Sequence, residues 1–474
     1  MSHGSPRDMK IVYATPADRR RRSVSGTRES AQSLTREREE PRIVAASTPS
    51  RICLVTLLRA AEGGPMDIVV THCAGLDVHQ ATVVATVRVP DGAGERRIVT
   101  ETFGAMTADL LALRDWLQAY GVTQVALEST GVYWKPVYYV LEDAFTLLLI
   151  NMRLLTHVPG RKTDVKDSEW LAQLLECGLL RSSFVPPPEI RELRDITRYR
   201  VQQVRDRSQE VNRLCKVLED AGLKLSSVAS DVLGVSGRAM ITALVSGTTD
   251  PAVLADLARG KLRKKLPALR RALVGRFRPV HAFLLEQIVA KIDFLDETLD
   301  RITEELNRRL VPFESMLTAL DTIPGVDRIG AISMLAETGG DMARFPSAGH
   351  LCSWAAMCPG HHESAGKRHS GKTRDGNQYL RGTLIQAALG AMRTKGSALQ
   401  ARYHRVKRHR GHKKAVVAVG HQILEIAYYI MRDTVTYEEM GADYFDRRHA
   451  ERATRRHVRQ LEALGYHVTI QKAA

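Results

Sequence analysis

Hydrophobic and polar positions alternate along the first folded segment of the chain. The alternation covers residues 68–78 and 81–89, a cluster of Pro, Asp, Gly and Ala follows at 90–94, and a third run at 97–103 can return beside the second. Alternation in β-branched segments that are separated by a Gly-rich turn is typical of antiparallel strands. The pattern therefore predicts a β-meander at the start of this domain.

Helical and strand-like patterns then alternate along the chain. Apolar residues fall at helical spacing over 107–120 and again over 132–142, whereas 124–127 and 145–150 are short apolar runs of strand length. A further helical pattern includes Trp170, Leu171, Leu174 and Leu175. The order β-β-β-α-β-α-β-α predicts an α/β domain with a mixed sheet and helices on its faces.

Two long helices are predicted after a run of three prolines at 186–188. The first covers 190–223, and the second places apolar residues three and four positions apart over three heptads, as in a coiled coil. The heptad positions are Leu285, Ile288, Ile292, Leu295, Leu299, Ile302 and Leu306. The two helices pair within one chain, or one of them pairs with a second chain. A helix-rich unit that is interrupted by glycines follows.

The patterns together predict five segments. They are a disordered basic tail or extension at 1–65, the α/β domain at 66–185, a helical coiled-coil region at 186–315, a mostly α-helical domain at 316–440 and a charged tail at 441–474. Thr322–Ala331 has the form of a helix-hairpin-helix turn, whose backbone amides can donate to a phosphate. A tight glycine turn between two packed helices gives the same pattern.

Charge narrows the choice of partner. The 474 residues include 69 Lys and Arg against 53 Asp and Glu, a formal net charge of +16. Such an excess favours a polyanion, and nucleic acid is the commonest one in a cell. No apolar run reaches the length of a membrane span, and the six cysteines form no Cys-x-x-Cys pair. A cytoplasmic protein with reduced thiols, and no membrane partner, is expected.

The basic residues concentrate towards the C-terminus. Residues 402–414 contain no acidic residue, which is typical of a nucleic-acid contact and uncommon in a solvated helix face. The predicted nucleic-acid contacts are Lys367, Lys372, Arg374, Arg381, Arg405, Lys407, Arg408, Arg410, Lys413 and Lys414. The nearby Cys352, Cys358, His361 and His362 lack a usual zinc spacing, so core thiols and phosphate-contacting histidines are expected there.

Four carboxylates occur where strands end or a helix begins. Asp77 lies at the end of the first strand, Glu128 follows the fourth, and Asp164 and Asp167 are three residues apart at the start of a helix. That spacing puts both aspartates on one helix face, where a hard cation such as Mg²⁺ would relieve their repulsion. Each residue has an ordinary alternative as a turn, cap or first-turn acid.

A serine in a basic, glycine-containing segment is the candidate nucleophile. In Ser364-Ala365-Gly366-Lys367 the small neighbours permit close backbone approach, and the positive charge offsets a phosphate and a developing alkoxide. Ser370-Gly371-Lys372 is a second candidate. The alternative is a flexible loop that contacts phosphate without a covalent role.

The order of the carboxylates resembles that in RNase H and RuvC-like nucleases. Together with the C-terminal serine segment and the later Gly376-Asn377 and Leu380-Arg381, the chain resembles insertion-sequence transposases related to the Piv-type DNA invertases. The family motif has a second Gly where this chain has Ala365.

The resemblance implies a RuvC-like domain that binds two Mg²⁺ ions, or Mn²⁺, and acts on DNA. The implied ligands are Asp77, Glu128, Asp164 and Asp167, and the implied nucleophile is Ser364. It also implies a homo-dimer or homo-tetramer, and in some members a guiding structured bridge RNA. Two alternatives remain: a hydrolytic RuvC-like nuclease that resolves DNA junctions without a serine link, and a non-catalytic nucleic-acid-binding protein.

Overall fold

The computed structural model describes residues 68–92, 95–129, 131–151, 167–360, 362–364, 366–444, 447 and 450–470. These residues form two compact units that divide between Pro187 and Pro188. The predicted tail at 1–65 and the candidate ligand Asp164 lie outside the described residues.

The first unit is built on a mixed five-stranded sheet. Its strands are β1 (Cys73–Val78), β2 (Thr82–Pro90), β3 (Arg96–Gly104), β4 (Gln124–Glu128) and β5 (Thr146–Ile150), in the order β3-β2-β1-β4-β5. The first three strands form the predicted antiparallel meander, and β4 and β5 continue the sheet parallel to β1. The mixed sheet expected from the sequence is confirmed.

The first strand is shorter than its pattern predicts. It begins at Cys73 instead of residue 68 because the backbone amides of Val69 and Val70 donate to the carbonyl of Glu176, at 2.8 and 3.0 Å. The β-branched residues before Cys73 thus contact the end of a helix, and their alternation was wrongly interpreted as strand.

Helices cover both faces of the sheet. The helices are α1 (Thr107–Ala119), α2 (Trp134–Leu141) and α3 (Asp167–Glu176). One core joins α1 and α2 to the face that carries Leu76 and Leu127, and a second joins α3 to the face that carries Cys73, Ala126 and Ile150. Apart from Asp77, Gln124 and Glu128, the residues of β1 and β4 are apolar on both faces, as expected for strands that are covered on both sides.

Two long helices begin the second unit. Helix α4 (Pro188–Asp220) packs antiparallel to α9 (Pro279–Arg309), as shown by ion pairs of Lys291 with Glu210 and of Arg207 with Asp296. The heptad residues Leu285, Ile292, Leu295 and Leu306 are buried. Pairing within one chain is therefore the alternative that the structure supports. Between them lie α5 (Leu225–Val228), α6 (Val235–Val245), α7 (Pro251–Asp256), a 3-10 helix (Gly260–Lys265) and α8 (Leu266–Ala272).

The remainder of the second unit is mostly helical. Its helices are α10 (Glu314–Asp321), α11 (Arg328–Thr338), α12 (Ala348–Trp354), α13 (Gln378–Ala391), α14 (Ala398–Arg410), α15 (His412–Asp433) and α16 (Ala450–Ala463), with 3-10 turns at Val311–Phe313 and Met342–Arg344. Strands β6 (His362–Ser364) and β7 (Lys367–Ser370) form a two-stranded sheet between α12 and α13. In the described part of the chain, every helix is too short or too polar to span a bilayer.

The predicted helix-hairpin-helix turn joins α10 to α11 and is used for packing. Gly325 has φ +85°, and a Cβ there would lie 2.2 Å from the carbonyl oxygen of Ala387. Asp327 caps α11 by accepting the amide of Gly330 at 2.7 Å. Because protein groups already occupy these positions, the structure favours the alternative of a glycine turn between packed helices over a phosphate site.

Candidate functional site

Asp77 and Glu128 lie side by side on one face of the sheet. The parallel register of β1 and β4 pairs Leu76 with Leu127, so the next residue of each strand falls at the same level. Side chains alternate along a strand, which places Asp77 on the face of Cys73 and Glu128 on the face of Ala126. These are the same face, the one that α3 covers.

Helix α3 brings Asp167 towards the same end of β1. The helix runs antiparallel to the strand, because the thiol of Cys73 donates to the carbonyl of Ala172 at 3.5 Å whereas Gly75 lies against Ser168. Asp167, the first residue of α3, is therefore at the end of the helix nearest Asp77.

Glycine at position 75 is what allows this approach. A Cβ there would lie 2.2 Å from the carbonyl oxygen of Ser168 and 2.5 Å from the amide nitrogen of Ala172. The hydroxyls of Ser168 and Thr86 also share a buried hydrogen bond of 2.8 Å, which ties the start of α3 to β2. The first turn of the helix is thus held directly on the sheet.

A buried ion cluster holds the other end of α3. Glu176 is 3% exposed, and its carboxylate pairs with Arg88 at 2.9 Å and with Arg96 at 2.5 Å. Removing one partner from such a cluster leaves a buried charge uncompensated. The cluster was not found from the sequence. Glu176 is 80 residues from Arg96 and 88 residues from Arg88, so the three residues belong to no local pattern.

Hard oxygen donors fit a divalent cation of the Mg²⁺ class. Asp77 is buried at 7% exposure, and its carboxylate contacts the ring of His79 at 3.0 Å. Among the described residues, no group of three or more His, Cys, Asp or Glu side chains is placed to hold a metal ion. Asp77 and Glu128 share one face of the sheet, and Asp167 begins the helix that covers this face. Their role as ligands stays a prediction.

The serine segment forms a two-stranded hairpin. Ser364 pairs with Lys367 across the turn, and Gly366 takes a φ of +72° there. Ser370 lies at the opposite end of β7, where it pairs with His362. The two candidate nucleophiles are therefore at different ends of one hairpin.

A basic cavity of about 890 Å³ opens beside this hairpin. Five of the predicted nucleic-acid contacts line it: Lys372, Arg381, Arg410, Lys413 and Lys414. Arg402 and His421 also line it and were not among the predicted contacts. Arg402 is in the acid-free stretch, which could have pointed to it, whereas no sequence signal marked His421.

The other five predicted contacts, Lys367, Arg374, Arg405, Lys407 and Arg408, are not among the residues that line the cavity. Arg374 donates to the hydroxyl of Ser353 at 2.7 Å, and the Lys407 ammonium lies 5.6 Å from the ring centre of Tyr403.

His421 connects the cavity to a buried polar cluster. Its Nε2 lies 3.4 Å from the Glu425 carboxylate, and its Nδ1 lies 3.9 Å from the Cys358 thiol. Burial alone would lower the pKa of His421. Polar contacts with Cys352, Cys358 and Glu425 outweigh burial and raise that pKa to about 12. Burial raises the pKa of the Cys352 thiol, as expected for a core thiol.

Comparison with known proteins identifies the class. Residues 74–222 match the DEDD-type transposase model of IS110, and residues 317–404 match the model described as the transposase IS116/IS110/IS902 family. The chain therefore carries both domains of an insertion-element transposase. Both are domains of IS110 family transposases, so the resemblance inferred from the motifs is confirmed.

Curated relatives agree with this assignment. An uncharacterized 43.6 kDa protein of insertion element IS110 from Streptomyces coelicolor is 24% identical over 61% of this chain and 76% of its own length. An uncharacterized 42 kDa protein of IS900 from Mycobacterium paratuberculosis is 32% identical over 33% of this chain and 39% of its own. The pilin gene-inverting protein of Moraxella bovis is 27% identical over 32% of this chain and 45% of its own.

Proposed function

We propose that this transposase cuts and rejoins DNA through a RuvC-like metal site and a serine nucleophile. The observation that supports the proposal is the register of β1 with β4, which puts Asp77 and Glu128 at the same level on the face that α3 covers, with Asp167 as the first residue of α3. Asp164, three residues before Asp167, completes the proposed ligand set.

Bound Mg²⁺ or Mn²⁺ would supply Lewis-acid activation of the scissile phosphate. The four carboxylates would hold the metal ions, and the Lys and Arg side chains that line the basic cavity would contact the phosphates of the nucleic acid. The first-turn contacts at Gly75 and Thr86 fix the position of Asp167 relative to the sheet.

The proposed nucleophile is Ser364. Its hydroxyl oxygen forms a bond to phosphorus as it loses its proton, and the P–O bond to the leaving strand breaks, so that the leaving oxygen takes up a proton. The phosphoserine link keeps the bond energy, because attack by the hydroxyl of an incoming strand reforms a phosphodiester and releases the serine. Lys367, next to Ser364 in the hairpin, offsets the developing negative charge.

The test is cleavage of insertion-element DNA by matched variants. Asp77→Asn, Glu128→Gln and Asp167→Asn are expected to lose strand cleavage and keep DNA binding. Asp115→Asn is the control, because Asp115 lies on α1 of the same unit with its side chain 64% exposed.

Denaturing gels distinguish the serine mechanism from hydrolysis. The wild-type protein and Ser370→Ala should accumulate protein joined to the cut strand, and Ser364→Ala should not. Cut DNA without attached protein would favour the junction-resolving nuclease, and binding without any cutting would favour the non-catalytic protein. The same assays with and without RNA transcribed beside the gene test for a guide. Mixing the Asp77→Asn protein with the Ser364→Ala protein tests whether two protomers of a homo-oligomer build one site: cleavage is then rescued, whereas a site built within one chain gives no rescue.

A further inference from the structure

We propose that the basic cavity of the second unit binds a single unpaired nucleotide. Its phosphate would contact the cationic side chains, and its base would lie against the apolar wall. The inference rests on the proposed function for its nucleic-acid substrate and goes beyond it by assigning a pocket to one extruded nucleotide.

The charges around the cavity favour binding of an anion. Six of its lining side chains are cationic: Lys372, Arg381, Arg402, Arg410, Lys413 and Lys414. None of the lining residues is acidic, and His421 adds an imidazole whose pKa is raised. Glu425, which pairs with His421, is not among the lining residues. A bound phosphate would relieve the mutual repulsion of these groups.

The size and the apolar wall of the cavity indicate a ligand that is larger than a phosphate and has an apolar face. The cavity of about 890 Å³ falls within the range of small-molecule sites, roughly 300 to 1,000 Å³. Met357, Val406, Val417 and Ala418 line it and cannot interact favourably with a phosphate. A duplex keeps the faces of its bases stacked inside and exposes only its backbone and the base edges in its grooves. A nucleotide that has left the stack presents both a phosphate and an apolar base face, so it matches both parts of the lining.

The cavity is joined to the hairpin that carries the candidate nucleophiles. Gly371 and Lys372 line it and directly follow Ser370 at the end of β7. A backbone hydrogen bond of 3.0 Å from Gly360 to the Lys372 carbonyl closes the base of the hairpin. A nucleotide held here would therefore lie next to the base of the serine hairpin.

The experiment compares a duplex with one bulged 2-aminopurine nucleotide and the same duplex fully paired. The wild-type protein should bind the bulged duplex about tenfold more tightly, because only the unpaired base can bury its apolar face against the cavity wall. Binding should also raise 2-aminopurine fluorescence, because the base becomes unstacked. A bulged RNA duplex forms a second arm: preference for bulged DNA would point to the target and preference for bulged RNA to a guide, and either supports a nucleotide pocket.

Filling the cavity should remove this preference. Ala418→Phe places a ring at the apolar wall, and the affinity ratio of bulged to paired duplex should fall to near one without the fluorescence rise. Val406→Trp does the same from α14 and guards against misfolding of the first variant. Ala290→Phe, on the exposed face of α9, is the matched control and should keep the ratio.

Two failures have different meanings. A wild-type protein that binds paired and bulged duplexes equally, with unchanged fluorescence, would overturn the nucleotide pocket and leave DNA binding intact. A protein that binds neither DNA nor RNA would overturn the proposed function itself. A folded Ala418→Phe protein that keeps the preference would also overturn the pocket assignment.

Discussion

The carboxylate of Glu337 accepts two hydrogen bonds from the guanidinium of Arg198, each 2.8 Å long. Glu337 lies on α11 and is 1% exposed, and its carboxylate also accepts the side-chain amide of Asn377. Asn377 caps α13 by accepting the amides of Tyr379 and Leu380. One buried acid thus joins α4 and α11 to the start of the helix that supplies Arg381 to the cavity.

Glu337→Gln should destabilise the second unit by about 3 kcal/mol, because it removes the charge that compensates a partly buried guanidinium. Urea unfolding of the purified protein measures the change. Glu314→Gln is the control, since its pair with Arg328 is exposed and should leave the unfolding midpoint unchanged. Equal effects of the two substitutions would show that burial of the Glu337 pair has no energetic role.

Gly75→Ala should displace the start of α3. The added Cβ would lie 2.2 Å from the backbone carbonyl oxygen of Ser168. We therefore expect the free energy of unfolding to fall by roughly 3 kcal/mol, the upper end of the range for overpacking, and cleavage to weaken. Gly382→Ala is the matched control. A Cβ at Gly382 meets nothing within 4 Å, and alanine should be neutral or stabilising in the helix α13. Wild-type stability and cleavage in Gly75→Ala would contradict the close packing of α3.

Stability should fall as the pH rises above the unfolded-state pKa of His421. The folded-state pKa is raised from 6.5 to about 12, so the protonated ring contributes stability that is fully present below pH 6.5 and is lost as the pH rises towards 12. One proton accounts for at most about 1.4 kcal/mol per pH unit. Between pH 6.5 and 9, the free energy of unfolding should decline less steeply for His421→Gln than for the wild-type protein. Parallel curves would remove His421 as the cause.

Lys413→Gln should weaken DNA binding in a salt-dependent way. Loss of one phosphate contact lowers the slope of log affinity against log salt concentration by about 1. Arg374→Gln should lower the slope less, because Arg374 donates to Ser353 and does not line the cavity. Binding titrations at several salt concentrations measure both slopes, and the reverse order would shift the interface away from the cavity.

Local patterns predicted the strands and helices well, because alternation and helical spacing depend only on residues that are close in sequence. The strands β1 to β5 and the helices α1 and α2 were found in this way. Which strands pair is a long-range property, so the level position of Asp77 and Glu128 needed the register of β1 with β4. The alternation before Cys73 led to a wrong prediction of strand, because the backbone amides of Val69 and Val70 donate to the carbonyl of Glu176 and not to a neighbouring strand.

The candidate site was predictable in its residue types and less so in its shape. Carboxylates at strand ends and an acid-free basic stretch are visible in the sequence. The heptads left the partner of α9 open, and long-range contacts such as the ion pair of Arg207 with Asp296 show that the partner is α4. The cavity combines the segment after β7 with α13, α14 and α15, so no local spacing separates Lys413, which lines it, from Lys407, which does not.

The central claim is that Asp77, Glu128 and Asp167, together with Asp164, bind divalent cations. Isothermal titration of Mn²⁺ into the metal-free protein tests it most directly. Wild-type protein and Asp115→Asn should bind Mn²⁺ with equal affinity, whereas Asp77→Asn and Asp167→Asn should bind at least about tenfold more weakly while melting at the wild-type temperature. Unchanged Mn²⁺ binding by the folded Asp77→Asn and Asp167→Asn proteins would contradict the account.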